Sequence, residues 1–261
     1  MQSYPQLFTR VAESGDPVES RLGLSFERVG ESCFAPIVAL PYRHQMAKAL
    51  GYMEVLQLIA GVFDLGAIQR VAPRARLELF TEAAAYGPRV LFNGIDQLQD
   101  VVDELTRFPL SRRAVIMMPK RAERMDTRPC TTSLQFILRQ DAVMCVATMR
   151  SWDLWMGAPY DLMMFSALTQ IVAQLIGASA FGIKVMVGSA HIYQEHSLKM
   201  PGDRTWMFIL PRFSNLEEYR RWAMFLVSTW TGQGTPAMIF ESIQEAEVAA
   251  SSFTTALTAI Q

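Results

Sequence analysis

The order of apolar and polar residues divides the chain into stretches of helical period and stretches of strand period. Near the start, Leu7, Phe8 and Val11 share one side of a helix that Ser3 is placed to cap and that ends near Gly15. Arg21-Leu22-Gly23 then opens an extended region. From about Tyr42 to Phe63, Met46, Leu50, Met53, Leu56, Leu58 and Ile59 predict a second helix, with Glu54 set among its apolar residues. Residues 65 to 94 follow neither period and read as irregular, carrying Arg70, Arg74 and Arg76 and then Tyr86-Gly87-Pro88-Arg89. A helix is predicted from about Ile95 to Thr106.

The period next shortens to two. Ala114 to Met118 reads as a strand after Ser111-Arg112-Arg113, and Thr132, Leu134, Phe136 and Leu138 alternate with Ser133, Gln135 and Ile137. After Arg139-Gln140-Asp141 the run Ala142 to Met149 returns as a paired strand, so Cys130 stands just before a hairpin. Leu162 to Ile183 carries no charge and is long enough to span a bilayer. Ser166, Thr169, Gln170, Gln174 and Ser179 interrupt it, however, and Gly177 punctuates it, so a buried helix followed by a strand is the better reading. Phe181 to Val187 reads as that strand, ending at Gly188-Ser189-Ala190-His191-Ile192-Tyr193. Ser214-Asn215-Leu216-Glu217 is a capping-box pattern before a helix to about Thr229, Thr231-Gly232-Gln233-Gly234 is a turn, and the chain from Ala237 is mostly helical. Strands and helices without a regular β-α alternation indicate an α+β fold. No repeat or linker divides the chain, so residues 1–261 are read as one domain, with a helical segment from about residue 200.

Composition narrows the function classes. At 261 residues and 51% hydrophobic content, the chain is long enough for a large core. Its 24 Lys and Arg nearly cancel 25 Asp and Glu, for a net charge of −1, which gives no support to a nucleic-acid surface. Cys33, Cys130 and Cys145 lack the close pairing of a zinc site and would leave one thiol over in any disulfide scheme, so a reducing cytoplasm is expected. The N-terminus has no basic segment followed by an apolar stretch, and no secretory signal is read there. His44, His191 and His196 have no cysteine or carboxylate cluster beside them, so no metal is expected.

Taken alone, Cys130 reads as a small buried hydrophobe, Glu54 as the polar side of a helix, His191 as a satisfied core histidine and each arginine as a solvated surface residue. Three linked motifs change those readings. Pro129-Cys130-Thr131-Thr132-Ser133-Leu134-Gln135-Phe136, then Arg150-Ser151-Trp152-Asp153-Leu154-Trp155-Met156-Gly157-Ala158-Pro159-Tyr160-Asp161, then Gly188-Ser189-Ala190-His191-Ile192-Tyr193 resemble the thymidylate synthase family in order and spacing. The resemblance runs from about Arg21 to His196 and fades beyond, leaving a divergent C-terminal segment from about residue 200. It implies a thymidylate synthase-like α+β fold: a mixed β-sheet with a buried central helix and surrounding helices.

The resemblance also assigns roles. Cys130 is implied as the thiolate that adds to C6 of a pyrimidine nucleotide, because C5 is a poor nucleophile until that addition. Glu54 is implied as a proton-relaying carboxylate, with the raised pKa that a buried position confers. Arg21, Arg112, Arg113 and Arg150 with Ser151 are implied to hold the nucleotide phosphate, and Arg150 to supply the charge that favours the Cys130 thiolate. Arg112 and Arg113 resemble the pair lent across a dimer interface, which implies a homodimer. His191 and Tyr193 are implied at the sugar, and Asp153, Tyr86, Phe80 and Gly157 at the folate co-substrate, 5,10-methylenetetrahydrofolate.

Asp161 bears on the base. The family's thymidylate synthases carry asparagine there, whose amide meets the O4 acceptor and N3–H donor of uracil; a carboxylate instead accepts from the N4 amino group of cytosine. Cys130-Thr131 for Cys-His, Met149-Arg150-Ser151 for Gln-Arg-Ser, and Val187-Gly188-Ser189 before His191 resemble the phage deoxycytidylate hydroxymethylases, and dCMP is the favoured substrate. Leu77-Glu78-Leu79-Phe80 lacks the tryptophans with which the synthases shield the site, and Thr258-Ala259-Ile260-Gln261 does not match their tail, so trapping by water to give a hydroxymethyl group is expected. Phe80, Trp152 and Trp155 are alternative shields, which leaves open methylation of dCMP, use of CMP or dUMP, and a nucleotide-binding paralogue without activity. Modified phage DNA in a host cytoplasm, or a nucleoside natural product, extends the resemblance.

Overall fold

The computed structural model describes residues 2–20, 22–37, 40–41, 46–92, 94–119, 124–199, 205–206 and 210–232. Helix α1 (Tyr4–Ser14) begins in a complete capping box, in which the Ser3 hydroxyl accepts from the Gln6 amide and the Gln6 side chain accepts from the Ser3 amide. Strands β1 (Asp16–Ser20) and β2 (Gly23–Pro36) form a hairpin, and β1 is a strand that the short polar stretch before Arg21 did not announce. Helix α2 (Lys48–Ala60) is buried on nearly every side, so its residues show no polar face. Residues 65 to 94 are more ordered than their sequence suggests: they contain α3 (Leu65–Val71), α4 (Gly87–Val90) and the two-residue strand β4 (Leu91–Phe92). β4 pairs with β5 (Ile95–Asp96), and Asp96 caps the amphipathic α5 (Gln97–Arg107).

The main sheet has six strands in the order β1-β2-β9-β8-β7-β6. It includes β6 (Val115–Met117), β7 (Thr131–Arg139), β8 (Ala142–Asp153) and β9 (Ser179–Tyr193). All neighbours are antiparallel except β8 and β9, which run parallel because α6 (Ala158–Leu175) crosses over between them. α6 is the uncharged run of the sequence, and sixteen of its residues are buried, Ala158 to Ala173; no helix among the described residues is long and apolar enough to cross a membrane. α7 (Leu216–Thr229) packs on α2, and its cap is Asn215, one residue later than the sequence pattern suggests: the Asn215 side chain accepts from the Glu218 amide, and the Glu218 carboxylate accepts from the Ser214 amide and the Asn215 side chain.

A row of kinks crosses this sheet. On β8 the buried side chains are Val143, Cys145, Ala147 and Met149, and then Trp152; on β9 they are Ile183, Val185 and Val187, and then Ala190 and Ile192. The inside–outside alternation therefore changes phase at Arg150 and at Gly188, which lie beside each other. β7 slips register between Thr131 and Ser133, and β2 turns at Gly30, whose φ of 72° is in the region that favours glycine. Gly188 was read as a strand end, but β9 runs through it to Tyr193. A Cβ at Gly188 would stand 2.8 Å from the Arg150 carbonyl oxygen, so close contact between β8 and β9 requires glycine there. Beyond the kink Ser151, Asp153, His191 and Tyr193 turn away from the helix-packed face and become partly exposed.

Candidate active site

The carboxyl ends of the parallel strands β8 and β9, the start of β7 and the start of α6 meet at one place. Across the sheet Thr131 is opposite Met149, Ser151 is beside Ser189, Asp153 is beside His191, and Tyr193 is beside Ser25. Cys130 immediately precedes β7 and is exposed, whereas Cys33 and Cys145 are buried and both have thiols pushed up to about 12 by that burial. Of the three thiols, Cys130 is thus the one open to a substrate.

Arg150 holds the approach to Cys130. Its Nε donates to the Pro129 carbonyl at 3.1 Å and its Nη2 to the Arg128 carbonyl at 2.9 Å, while its backbone N–H donates to the Cys130 carbonyl at 2.9 Å. The loop on the other side is supported by Arg89, a buried guanidinium that donates to the Met118 and Thr127 carbonyls at 2.7 and 3.1 Å and to the Ala83 carbonyl. The expected activation of the thiol by Arg150 is outweighed. Desolvation is the largest influence and raises the Cys130 pKa, Arg150 lowers it, and Asp161 and Asp153 raise it further, for a net shift upward.

Asp153 shapes the turn into α6. Its Oδ1 accepts from the amides of Trp155 (2.9 Å) and Met156 (2.8 Å), and its carbonyl accepts from the Gly157 amide at 3.1 Å. Gly157 caps α6 and so delivers Asp161 in the first turn of the helix. Asp161 is buried and both of its oxygens are engaged: Oδ1 accepts from the Tyr86 hydroxyl at 3.2 Å and Oδ2 from the Trp152 indole N–H at 3.0 Å. The Tyr86 hydroxyl in turn accepts from Thr131 Oγ at 2.8 Å. Desolvation raises the Asp161 pKa to about 7 against the lowering effect of Trp152 and Tyr86. Burial, with the like charge of Asp161 adding to it, raises that of Glu54 on α2 to about 8. Asp161 thus acts electrostatically on both the accessible Cys130 thiol and Glu54, and the two carboxyl groups have pKa values raised toward neutrality, an arrangement suited to acid–base work.

Ser151 Oγ lies 3.5 Å from His191 Nδ1, and the His191 ring stands edge-on to Tyr193 with centroids 5.4 Å apart. The Tyr193 phenol is shifted upward by burial, against the lowering effect of a hydrogen bond with Ser20, and the charges of Asp153 and then Cys130 add to the rise. Of the residues singled out from sequence, Cys130, Glu54, Asp161, Arg150, Ser151, Asp153, Gly157, His191, Tyr193 and Tyr86 are thereby brought together. Tyr86 was assigned to the folate side, yet its hydroxyl joins Thr131 to Asp161. Phe80 is partly buried and packs against the core.

Arg112 and Arg113 do not join this cluster within the chain. Both are exposed, Arg113 pairs with Glu104 at 2.9 Å, and the Arg112 carbonyl accepts from the side chain of Gln135 in the middle of β7. At about 3.3 Å per strand residue Gln135 is roughly 17 Å along the strand from Cys130. Arg21, His44 and the helix from Ala237 lie outside the described residues. Among the described residues no group of His, Cys, Asp and Glu could hold a metal. Sequence reasoning named Trp152 as a shield and Thr131 as a departure from the family's Cys-His pair, but missed their hydrogen bonds to Asp161 and Tyr86, and missed Arg89 as a support of the loop. A tryptophan beside Asp153 and a buried arginine give no one-dimensional sign that their polar atoms are aimed at a carboxylate or at loop carbonyls.

Residues 75–203 match the family model of thymidylate synthase. A thymidylate synthase of varicella-zoster virus (strain Dumas) is 37% identical over 108 residues, covering 41% of this chain and 36% of the viral protein. That of Aster yellows witches'-broom phytoplasma is 27% identical over 138 residues, covering 49% and 48%. These matches span about a third to a half of the length of the curated relatives. The crystal structure of thymidylate synthase from T4 phage superposes with a TM-score of 0.63 over 75% of this chain and 78% of that one, at 21% identity, and establishes the likeness of fold.

Proposed function

We propose that this chain, a member of the thymidylate synthase superfamily, transfers a one-carbon unit from 5,10-methylenetetrahydrofolate to C5 of a cytidylate, converting dCMP and water into 5-hydroxymethyl-dCMP and tetrahydrofolate. The observation that carries this reading is the carboxylate of Asp161, held in the same cluster as the accessible Cys130 with both oxygens accepting hydrogen bonds. Such a group meets the amino edge of cytosine and opposes the 4-oxo edge of uracil.

Under this reading each residue of the cluster has a role. Cys130 adds to C6, with the pair of electrons passing to C5 and N3; Asp161 shares a proton with N3, which makes C6 more electrophilic. Asp161 in its neutral form also removes one of the two negative charges that oppose the Cys130 thiolate, and Arg150 opposes the rest. The folate supplies the methylene that C5 attacks and leaves as tetrahydrofolate. Glu54, with a pKa of about 8, exchanges the protons that C5 loses and that the leaving amine gains. Water then adds to the exocyclic methylene as the Cys130–C6 bond breaks. Arg150, with Ser151 and by family likeness Arg21, holds the phosphate; His191 and Tyr193 contact the sugar; Asp153, Gly157 and Phe80 border the folate.

A second copy of the chain completes the reading. On the sheet face away from α6, Val115, Gln135, Val146, Lys184 and Phe34 form one cross-strand row, and Met117, Ser133, Thr148, Met186 and Ser32 the next. Met117, Met186 and nearby Phe181 are 53%, 46% and 56% exposed, more apolar surface than a solvated sheet face needs. A homodimer closing that face would carry Arg112 and Arg113 toward the partner's phosphate.

The test is mass spectrometry of dCMP, CMP and dUMP after separate incubation with the protein and methylenetetrahydrofolate. The expected product is 5-hydroxymethyl-dCMP, absent with Cys130→Ala, and Asp161→Asn should move turnover from dCMP toward dUMP by at least tenfold. A 5-methyl product overturns the water step, and turnover of dUMP alone overturns the base assignment.

A further inference from the structure

The two oxygens of Asp161 are held by partners of different kinds. Oδ1 belongs to a hydroxyl chain, Thr131 to Tyr86 to Asp161, and a hydroxyl is both donor and acceptor, so the chain can reverse when Oδ1 takes a proton. Oδ2 faces an indole N–H, which only donates. A proton on Oδ2 would leave the indole donating to a hydroxyl oxygen, whereas a proton on Oδ1 leaves Oδ2 a carbonyl oxygen, the better acceptor, and the mobile proton of this carboxyl therefore resides on Oδ1. The indole has little freedom to yield: Trp152 is 1% exposed, and the Tyr4 ring from α1 packs edge-on against it at 6.1 Å while the Tyr4 hydroxyl donates to the Leu154 carbonyl.

Cytosine and uracil need opposite polarity from such a group. Cytosine offers a donor at position 4 and an unprotonated N3, which fit a fixed acceptor and a neighbouring oxygen that shares a proton. Uracil offers an acceptor at position 4 and a donor at N3, which need the proton on the other oxygen. We propose that Trp152 sets base selectivity: its N–H keeps Oδ2 of Asp161 a permanent acceptor aimed at the 4-amino group, and leaves Oδ1 to share the proton with N3. Trp152 is a positioning residue, acting through Asp161 without touching substrate. The inference rests on the cytidylate reading.

The experiment measures the equilibrium dissociation constants of dCMP and dUMP with the full chain, for wild type and Trp152→Phe. A third protein carries at position 152 the sulfur analogue 3-benzothienylalanine, which keeps the shape of tryptophan without its N–H and so guards against a packing defect in the phenylalanine variant. Phosphate and sugar contacts are common to both nucleotides, so a general structural defect weakens both equally and leaves their ratio unchanged. Wild type is expected to prefer dCMP, and both replacements to shrink that preference by about tenfold, the range of one hydrogen bond to a charged group. Tyr86→Phe should retain the preference, since it leaves Oδ2 an acceptor. Equal weakening of both nucleotides, or an unchanged ratio, overturns the role of Trp152 alone. A wild type without preference for dCMP overturns the cytidylate reading and this inference with it.

Discussion

At the residue scale, Glu54 and Asp161 impose a stability cost that the site requires. Their folded pKa values, about 8 and about 7, lie above the ordinary 4.5 and 3.8, so between those limits the folded chain binds more protons than the unfolded one. Stability therefore falls as pH rises through that window, and the loss is complete only above the folded values. Glu54→Gln removes one of the two contributions, and we expect it to raise the midpoint of urea unfolding at pH 8 by an equivalent of about 2 kcal/mol and to have little effect at pH 4.5, where the folded side chain is neutral in both proteins. A variant equally destabilised at both pH values would show that Glu54 is a packing residue. Neither value was legible in the sequence beyond the expectation of a raised Glu54. The shift of Asp161 comes from burial among residues on three distant segments.

At the element scale, sequence reading succeeded where one period governed a segment. α1 with its Ser3 cap and Gly15 end, the β7–β8 hairpin and the buried α6 all lie where their patterns predicted. It failed where periods broke. β9 was cut short at Gly188 because alternation changes phase there, and α3 was missed because a seven-residue helix shows barely two turns of pattern. The kink at Arg150 and Gly188 is what turns Ser151, Asp153, His191 and Tyr193 into the cluster, so its tolerance is testable. Gly188→Ala places a methyl 2.8 Å from the Arg150 carbonyl oxygen. A cost of about 1–3 kcal/mol in urea unfolding is expected. Nucleotide affinity should fall with it, because Arg150 must move; a variant with full stability and affinity would show that the strands separate freely.

At the scale of the whole molecule, Arg112 and Arg113 stand apart from Cys130 in their own chain, and only the family resemblance, not their periodicity or spacing, marks them as a pair lent to a partner. Mixed subunits separate the two. Cys130→Ala and the double variant Arg112→Ala, Arg113→Ala should each be inactive alone, and mixing them under exchange conditions should restore turnover, since one site of the mixed dimer has an intact thiol and intact partner arginines. If the arginine variant is active alone, the pair has no part in binding phosphate.

The order of strands in the sheet also has a consequence for how the chain comes into being. β2 pairs with β9, and the Ser189 to Glu27 hydrogen bond joins residues 162 positions apart. At about 5–20 residues per second, synthesis leaves β2 without its neighbour for roughly ten to thirty seconds. Through that interval Val29, Cys33 and Phe34 are exposed on an unpaired edge, an invitation to pair with another nascent chain. The cluster around Cys130, which needs His191 and Tyr193 of β9, thus forms late, and yield in cells should depend on whatever shelters β2 until β9 arrives.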